Sequence, residues 1–202
     1  MAVRSALVVL AAGEGSRAGG PKALIEIGER LVLEEVVIGY ASLMLGPFLS
    51  VVSPRIAAQI DRRRNFLPGI ELILNDQPDA TGAADSLSLA LQAIEAETVG
   101  RPPAVLVTPV DCPPVLPRTI ELLAAAVAVP GCIAAVPVYQ GEQGHPVLMA
   151  SSAWKPLAVQ AIRLDTWLQG REGVRLVPVD DPGVLLNLNS REEWETWKSQ
   201  AR

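Results

Sequence analysis

An unbroken apolar run, Ala6 to Leu10, leads straight into Ala11-Ala12-Gly13-Glu14-Gly15-Ser16-Arg17-Ala18-Gly19-Gly20-Pro21-Lys22. A strand that empties into a loop of this kind restricts the chain to folds that present backbone amides at a strand end. Gly13, Gly15, Gly19 and Gly20 let those amides approach an anion without an intervening Cβ, while Arg17 and Lys22 add full positive charge. A purely structural turn explains one or two of these features; four glycines, two cations and a strand entry together point to phosphate. A Walker A loop does not fit, because Pro21 separates Gly20 from Lys22 and Ala23 has no hydroxyl for magnesium. A dinucleotide loop is matched by Gly13, Gly15 and Ala18. It calls for a helix at once and an acid closing the next strand, whereas Gly19-Gly20-Pro21 breaks a helix and the next strand ends in Ser53-Pro54.

The rest of the chain alternates. Strands are expected near 6–11, 48–53, 70–75, 104–110 and 132–139, with helices near 31–45, 55–66, 83–97 and 116–128 between them. This order predicts an α/β fold on a mainly parallel sheet with right-handed crossovers. Beyond Gln140 the order loosens: a short strand Pro146–Met149, a helix Ala153–Leu168, strands Val174–Val179 and Val184–Leu188, and a last helix Arg191–Gln200 opened by a Ser190/Glu193 capping box. Ligands collect at the carboxyl ends of parallel strands, so Gly13, the segment after Asn75, Asp111 and Gln140–Gly144 are expected on one face.

With 202 residues, half of them apolar, and no linker or repeat, residues 1–202 read as one domain. No apolar run reaches the roughly 18–20 residues of a membrane span, and Met1–Ser5 runs directly into the first strand, so a cytoplasmic protein without membrane contact is expected. Two cysteines and one histidine provide neither a disulfide framework nor a zinc cluster. A net charge of −5 excludes a nucleic acid polymer as partner, and Arg62-Arg63-Arg64 reads as the solvated end of a helix.

Val105 to Val110 is a continuous apolar strand that stops at Asp111, placing a carboxylate where magnesium could find one hard ligand and complete its shell with water and phosphate. Taken alone, Asp111 before Pro113 also reads as a turn residue. Asn187 and Asn189, on one side of the expected strand by its two-residue period, could bring two amide oxygens to one ion or could tie strand to helix. Gly82 and Ser86 open a helix where Thr81 or Asp85 would also serve as caps. His145, the sole imidazole, could donate to an acceptor phosphate or bond a turn backbone. Trp154, Trp167, Trp194 and Trp197 read as packing groups.

Leu10-Ala11-Ala12-Gly13, Ser16-Arg17, Gly19 and Pro21-Lys22 together resemble the nucleotidyltransferases of the molybdenum cofactor type, with Ala18 where that family usually has Met. Asp111-Cys112-Pro113, Gly144-His145-Pro146-Val147-Leu148 and Asn187-Leu188-Asn189-Ser190 follow in the family's order, though Ser190, Arg191 and Glu193 replace its Thr, Pro and Asp. The resemblance implies a Rossmann-like three-layer α/β/α fold. It further implies Arg17, Lys22 and Asp111 as catalytic residues, and Leu10, Ala11, Ala12, Gly13, Gly15, Ser16, Asn75, Gly82 and Ser86 around the nucleotide. His145 would lie beside the acceptor, with Asp111 and Asn189 on Mg2+. The implied substrates are an NTP, with CTP favoured over GTP, and a phosphorylated acceptor such as molybdopterin. The resemblance implies a monomer or homodimer in transient contact with a molybdoenzyme maturation partner. Ile162–Gly173 lacks the Gly-Asp-x-Gly-x-Arg pattern expected near that acceptor, so a sugar-phosphate or methylerythritol-phosphate nucleotidyltransferase stays open. So do a dinucleotide-binding oxidoreductase and a nucleotide sensor without catalysis.

Overall fold

The computed structural model describes residues 5–15, 20–43, 46–63, 65–78, 82–96 and 102–200. Its sheet contains, in chain order, β1 (Ala6–Leu10), β4 (Phe48–Val52), β5 (Ile70–Leu74), β6 (Ala104–Pro109), β7 (Ala134–Tyr139), β8 (Glu142–Gln143), β9 (Val147–Ala150) and β10 (Val174–Pro178). A separate two-stranded hairpin is made by β2 (Glu26–Ile27) and β3 (Arg30–Leu31). Across the sheet the order is β10-β7-β9-β6-β1-β4-β5, with β8 on β7. β1 pairs in parallel with both β4 and β6, and β10 with β7; β9 is antiparallel to both its neighbours, so the sheet is mixed and mainly parallel.

Central β1 is buried on both faces, as its uninterrupted apolar sequence requires in a parallel sheet. Leu7 and Val9 face one core with α1 (Val32–Ala41), α2 (Pro54–Ile60), α4 (Pro117–Val127) and α7 (Arg191–Gln200). Ala6 and Val8 face the other with α3 (Ala83–Ala96), α5 (Lys155–Val159) and α6 (Leu164–Leu168). The result is the expected three-layer α/β/α architecture. Trp154, Trp167 and Trp194 are buried in these layers, so the tryptophans pack as anticipated. Among the described residues, no helix is long and apolar enough to cross a membrane.

The structure departs from the sequence reading in several places. The helix expected over Ala153–Leu168 is two short ones, because the Ala158 carbonyl accepts from Ser88 Oγ (2.8 Å) and Gln92 Nε2 (2.7 Å) of α3 instead of continuing its own helix. The strand expected at Val184–Leu188 is a 3-10 turn, Pro182–Leu185, followed by irregular chain. Asp181 sets this: its buried carboxylate accepts from Gly183 N (2.9 Å), Leu116 N (2.9 Å) and Thr119 Oγ1 (2.7 Å), holding the turn against the start of α4. α2 ends at Ile60, short of the expected 66, and Arg63 beyond it pairs with Glu26 of the hairpin. That hairpin turns on Gly28 at φ +65°. α1 begins at Val32, where the buried Glu34 carboxylate accepts from Leu31 N (2.8 Å) and also from Leu67 N (2.9 Å).

Candidate active site

The glycine-rich loop leaves β1 as Ala11 N donates to Val51 O (2.8 Å). Gly15, at φ +62°, and Gly20 then meet, with Gly20 N donating to Gly15 O (3.2 Å); a Cβ on Gly15 would lie 1.8 Å from the Gly20 oxygen. The loop is thus closed at a neck that only glycine allows. Ser16 and Arg17, assigned to phosphate binding and catalysis from the sequence, lie outside the described residues, as do Ala18 and Gly19. Past the neck, Pro21 starts the 3-10 turn Lys22–Leu24 and turns Lys22 back toward the sheet.

A cleft of about 340 Å3 opens between this loop, the end of β6 and the start of α3. Leu10, Ala12, Gly13, Gly15 and Lys22 form one wall, Pro109, Val110 and Asp111 another, and Pro78, Gly82, Ala83 and Ser86 the third. Three elements far apart in sequence therefore meet at the carboxyl ends of the strands. A Cβ on Gly13 or Gly82 would meet nothing within 4 Å, so neither position is filled by a side chain; at Gly82 the N–H donates to Asp85 Oδ2 (3.1 Å) and the carbonyl accepts from Ser86 N (3.2 Å), opening α3. Ala11 is not on its wall; it is buried in the α1 side of the core. Asn75 is also set back: its Nδ2 donates to Ser86 Oγ (3.1 Å) and its Oδ1 accepts from Gln77 N (3.1 Å), so it supports Ser86 from behind.

Lys22 Nζ donates to Asp111 Oδ2 (2.7 Å) and to Asn189 Oδ1 (2.5 Å), closing a bridge between residues 89 and 167 positions apart. Both charged side chains of the ion pair stay about a quarter exposed (24% and 21%), so the pair faces the cleft. With its amide turned so that the nitrogen meets the carboxylate, Asn187 donates to both Asp111 oxygens, at 3.0 and 3.2 Å. It is a partner of the carboxylate, so the two asparagines do not offer paired oxygens from a strand edge. The 187–189 segment is fixed by Leu188 N donating to the Asp111 carbonyl (2.8 Å) and Asn189 Nδ2 to the Asn187 carbonyl (3.1 Å). Glu193 accepts from Ser190 N (3.1 Å) and also from Asn189 N, and Ser190 Oγ from Glu193 N (3.2 Å), so the capping box forms.

A second chamber of about 180 Å3 shares Leu10, Ala83 and Pro109 with the cleft and adds Leu87, Val107, His145, Arg163, Leu164 and Asp165. His145 N donates to Val184 O (2.8 Å). Burial lowers the imidazole pKa, against the charges of Asp111 and Asp165, so the neutral ring is favoured at pH 7. Of the Gln140–Gly144 segment, Glu142 and Gln143 pair with β7 and none lines either cavity. Arg163 and Asp165 pair at the chamber mouth through Nη2–Oδ2 (2.7 Å) and Nε–Oδ1 (3.1 Å). Cys112, beside Asp111, has its thiol pKa pushed up to about 12 by burial and by that carboxylate, so it stays protonated.

Sequence reasoning missed Asp181, which holds the turn before the asparagines, and the wall residues Pro78, Ala83, Pro109 and Val110. The only signal for Asp181 was an acid before Pro182-Gly183, a common turn pattern.

Residues 7–181 match the model of the MobA-like NTP transferase domain. The chain belongs to this family. It is therefore a nucleotidyltransferase, with an NTP and an acceptor as its substrates. Its fold is shared with a homologue of Mycobacterium tuberculosis Rv0371c from Mycobacterium sp. strain JC1 (22% identity over 99% of this chain and 98% of that one, TM-score 0.76). It is shared too with M. tuberculosis Rv0371c in complex with manganese (21%, 96% and 97%, 0.69). Molybdopterin-guanine dinucleotide biosynthesis protein A of Archaeoglobus fulgidus is a third such structure (21%, 97% and 98%, 0.64). At these identities the likeness is one of fold. No curated protein matches the sequence.

Proposed function

We propose that this nucleotidyltransferase moves a nucleoside monophosphate from an NTP, CTP in preference to GTP, to a phosphorylated acceptor such as molybdopterin, releasing pyrophosphate. The observation that carries the reading is the Lys22–Asp111–Asn189 bridge at the wall of a glycine-lined cleft. The loop amides of Gly13 and Gly15 and the Lys22 ammonium receive the triphosphate, Ser86 and the backbone at Gly82 meet the base, and the chamber holding His145 receives the acceptor. Residues 7–181 and α7 act as one catalytic unit, since Trp194 of α7 lies in the core they share.

The chemistry asks little covalent work of the protein. An acceptor phosphate oxygen attacks the α-phosphorus in line, and the bond to the bridging oxygen of pyrophosphate breaks as that bond forms. The acceptor is already ionised at neutral pH, so no general base is needed; neutral His145 can orient it by hydrogen bonding without taking its proton. What must be overcome is repulsion between two polyanions, which Lys22 and preorganised amides offset in a partly enclosed cleft.

The donor set suits a divalent cation of the magnesium type. Asp111 contributes one carboxylate and Asn189 one amide oxygen, and their oxygens already converge on a single positive charge, the Lys22 ammonium. Among the described residues no group of three or more His, Cys, Asp or Glu side chains could cage a metal, which fits an ion shared with substrate phosphates. Held by Asp111 and Asn189, Mg2+ would supply charge neutralisation at the leaving pyrophosphate.

A thermal-shift panel of CTP, GTP, UTP, ATP and NAD, each with and without Mg2+, tests the reading. A triphosphate at 100 times its dissociation constant stabilises by about 2.7 kcal/mol, and the expected result is a magnesium-dependent shift with CTP largest. A shift with NAD alone would favour the oxidoreductase; no shift with any triphosphate would remove the proposal.

A further inference from the structure

The Lys22 ammonium stands between the two oxygens best suited to hold a divalent cation, 2.7 Å from Asp111 Oδ2 and 2.5 Å from Asn189 Oδ1. One place therefore has two claimants. Lys22 is delivered there by the 3-10 turn that follows Pro21, and Asn187 holds the Asp111 carboxylate from its other side with contacts to both oxygens. The ammonium is tethered, so its local concentration at the carboxylate far exceeds that of a free ion in solution. It blocks the place twice over, by occupying the oxygens and by like-charge repulsion of an incoming cation.

The pair is nevertheless reachable, since each partner keeps about a quarter of its surface exposed and both line the cleft. A triphosphate on the loop offers Lys22 several anionic oxygens within the same cleft, a stronger attraction than a single carboxylate. Removing the ammonium toward the phosphates frees Asp111 and Asn189 while Asn187 keeps the carboxylate aligned. We propose that Lys22 is an internal placeholder for the divalent cation, which occupies the Asp111–Asn189 place in the nucleotide-free enzyme and yields it only when a triphosphate draws the lysine away. The proposal rests on the cleft's being the NTP site. Its consequence is ordered loading: the free metal binds poorly by itself and enters with the nucleotide.

The test is Mn2+ binding to the intact chain without nucleotide, read as loss of the free-ion electron paramagnetic resonance signal. Wild type, Lys22→Met and the Lys22→Met/Asp111→Asn double variant are compared after circular dichroism confirms that each is folded. The expected result is weak Mn2+ binding by wild type, binding at least tenfold tighter by Lys22→Met, and loss of that gain in the double variant. Equal binding by wild type and Lys22→Met overturns the proposal, as does a gain that survives Asp111→Asn, which would put the metal elsewhere. Thermal shift of wild type with a triphosphate and Mg2+ is run in parallel. A triphosphate shift without the Mn2+ gain defeats the placeholder alone, whereas no triphosphate shift defeats it together with the assignment of the cleft.

Discussion

At the scale of single residues, the site is a short chain of charge: Lys22 on Asp111, Asn189 on Lys22, Asn187 on Asp111. Asp111→Asn and Lys22→Ala are each expected to lower kcat/KM by at least tenfold, about 1.4 kcal/mol of barrier, in a pyrophosphate-release assay. Their melting temperatures should move little, because an ion pair this exposed contributes at most about 1 kcal/mol. Retention of more than about a tenth of the rate would contradict the roles given to them. His145 supplies a pH signature. Its folded-state pKa lies below the unfolded value, so its contribution is fully present above about pH 6.5 and is lost as pH falls toward the lowered value. The melting temperature of wild type should therefore drop more between pH 7.5 and 5.5 than that of His145→Gln; equal drops would mean that burial of this imidazole carries no linkage.

Elements place these residues, and each does so through a feature that can be broken. The loop neck depends on Gly15 at φ +62° against Gly20, so Gly15→Ala should weaken triphosphate binding at least tenfold by calorimetry while the two cores, which do not include it, hold the melting temperature. Glu193 serves both the α7 cap and the Asn189 backbone. Glu193→Ala should cost about 0.5–2 kcal/mol in denaturant unfolding. It should also lower the affinity for metal and nucleotide; unchanged affinity would separate the cap from the site. Much at this scale was legible in the sequence: β1, β4, β5 and β6 lie within a residue or two of their expected bounds, the buried β1, β4 and β6 because such parallel strands read as apolar runs, and the half-exposed edge strand β5 because Ile70, Leu72, Ile73 and Leu74 still mark it around Glu71. The α7 start was legible too, since a capping box is a local pattern. What escaped was decided across the fold. The break after Ala158 is made by two side chains of α3, and the turn before Asn187 by Asp181 bonding to α4, neither visible in local periodicity.

For the whole molecule, a mainly parallel sheet sandwiched by helices brings Leu10 to Gly15 and Lys22, Pro78 and the start of α3, and Pro109 to Asp111 together at the carboxyl ends of the strands, which is why short motifs scattered through the sequence describe a single cleft. The strand-terminal acid that a dinucleotide site needs is absent from β4 for a structural reason: Ser53 there caps α2, its Oγ accepting from Ile56 N (3.2 Å). Asn187 meets the Asp111 carboxylate and Asn189 the Lys22 ammonium, both placed by a fixed irregular segment rather than by strand period, so their two positions differ. The most direct measurement of the central claim is a crystal structure of the chain with a non-hydrolysable CTP analogue and Mn2+, the metal located by anomalous scattering. The expected map has the triphosphate on the Gly13–Gly15 loop, the manganese peak at Asp111 and Asn189, and Lys22 turned to the phosphates. A triphosphate bound elsewhere, or a peak away from Asp111, would contradict the account.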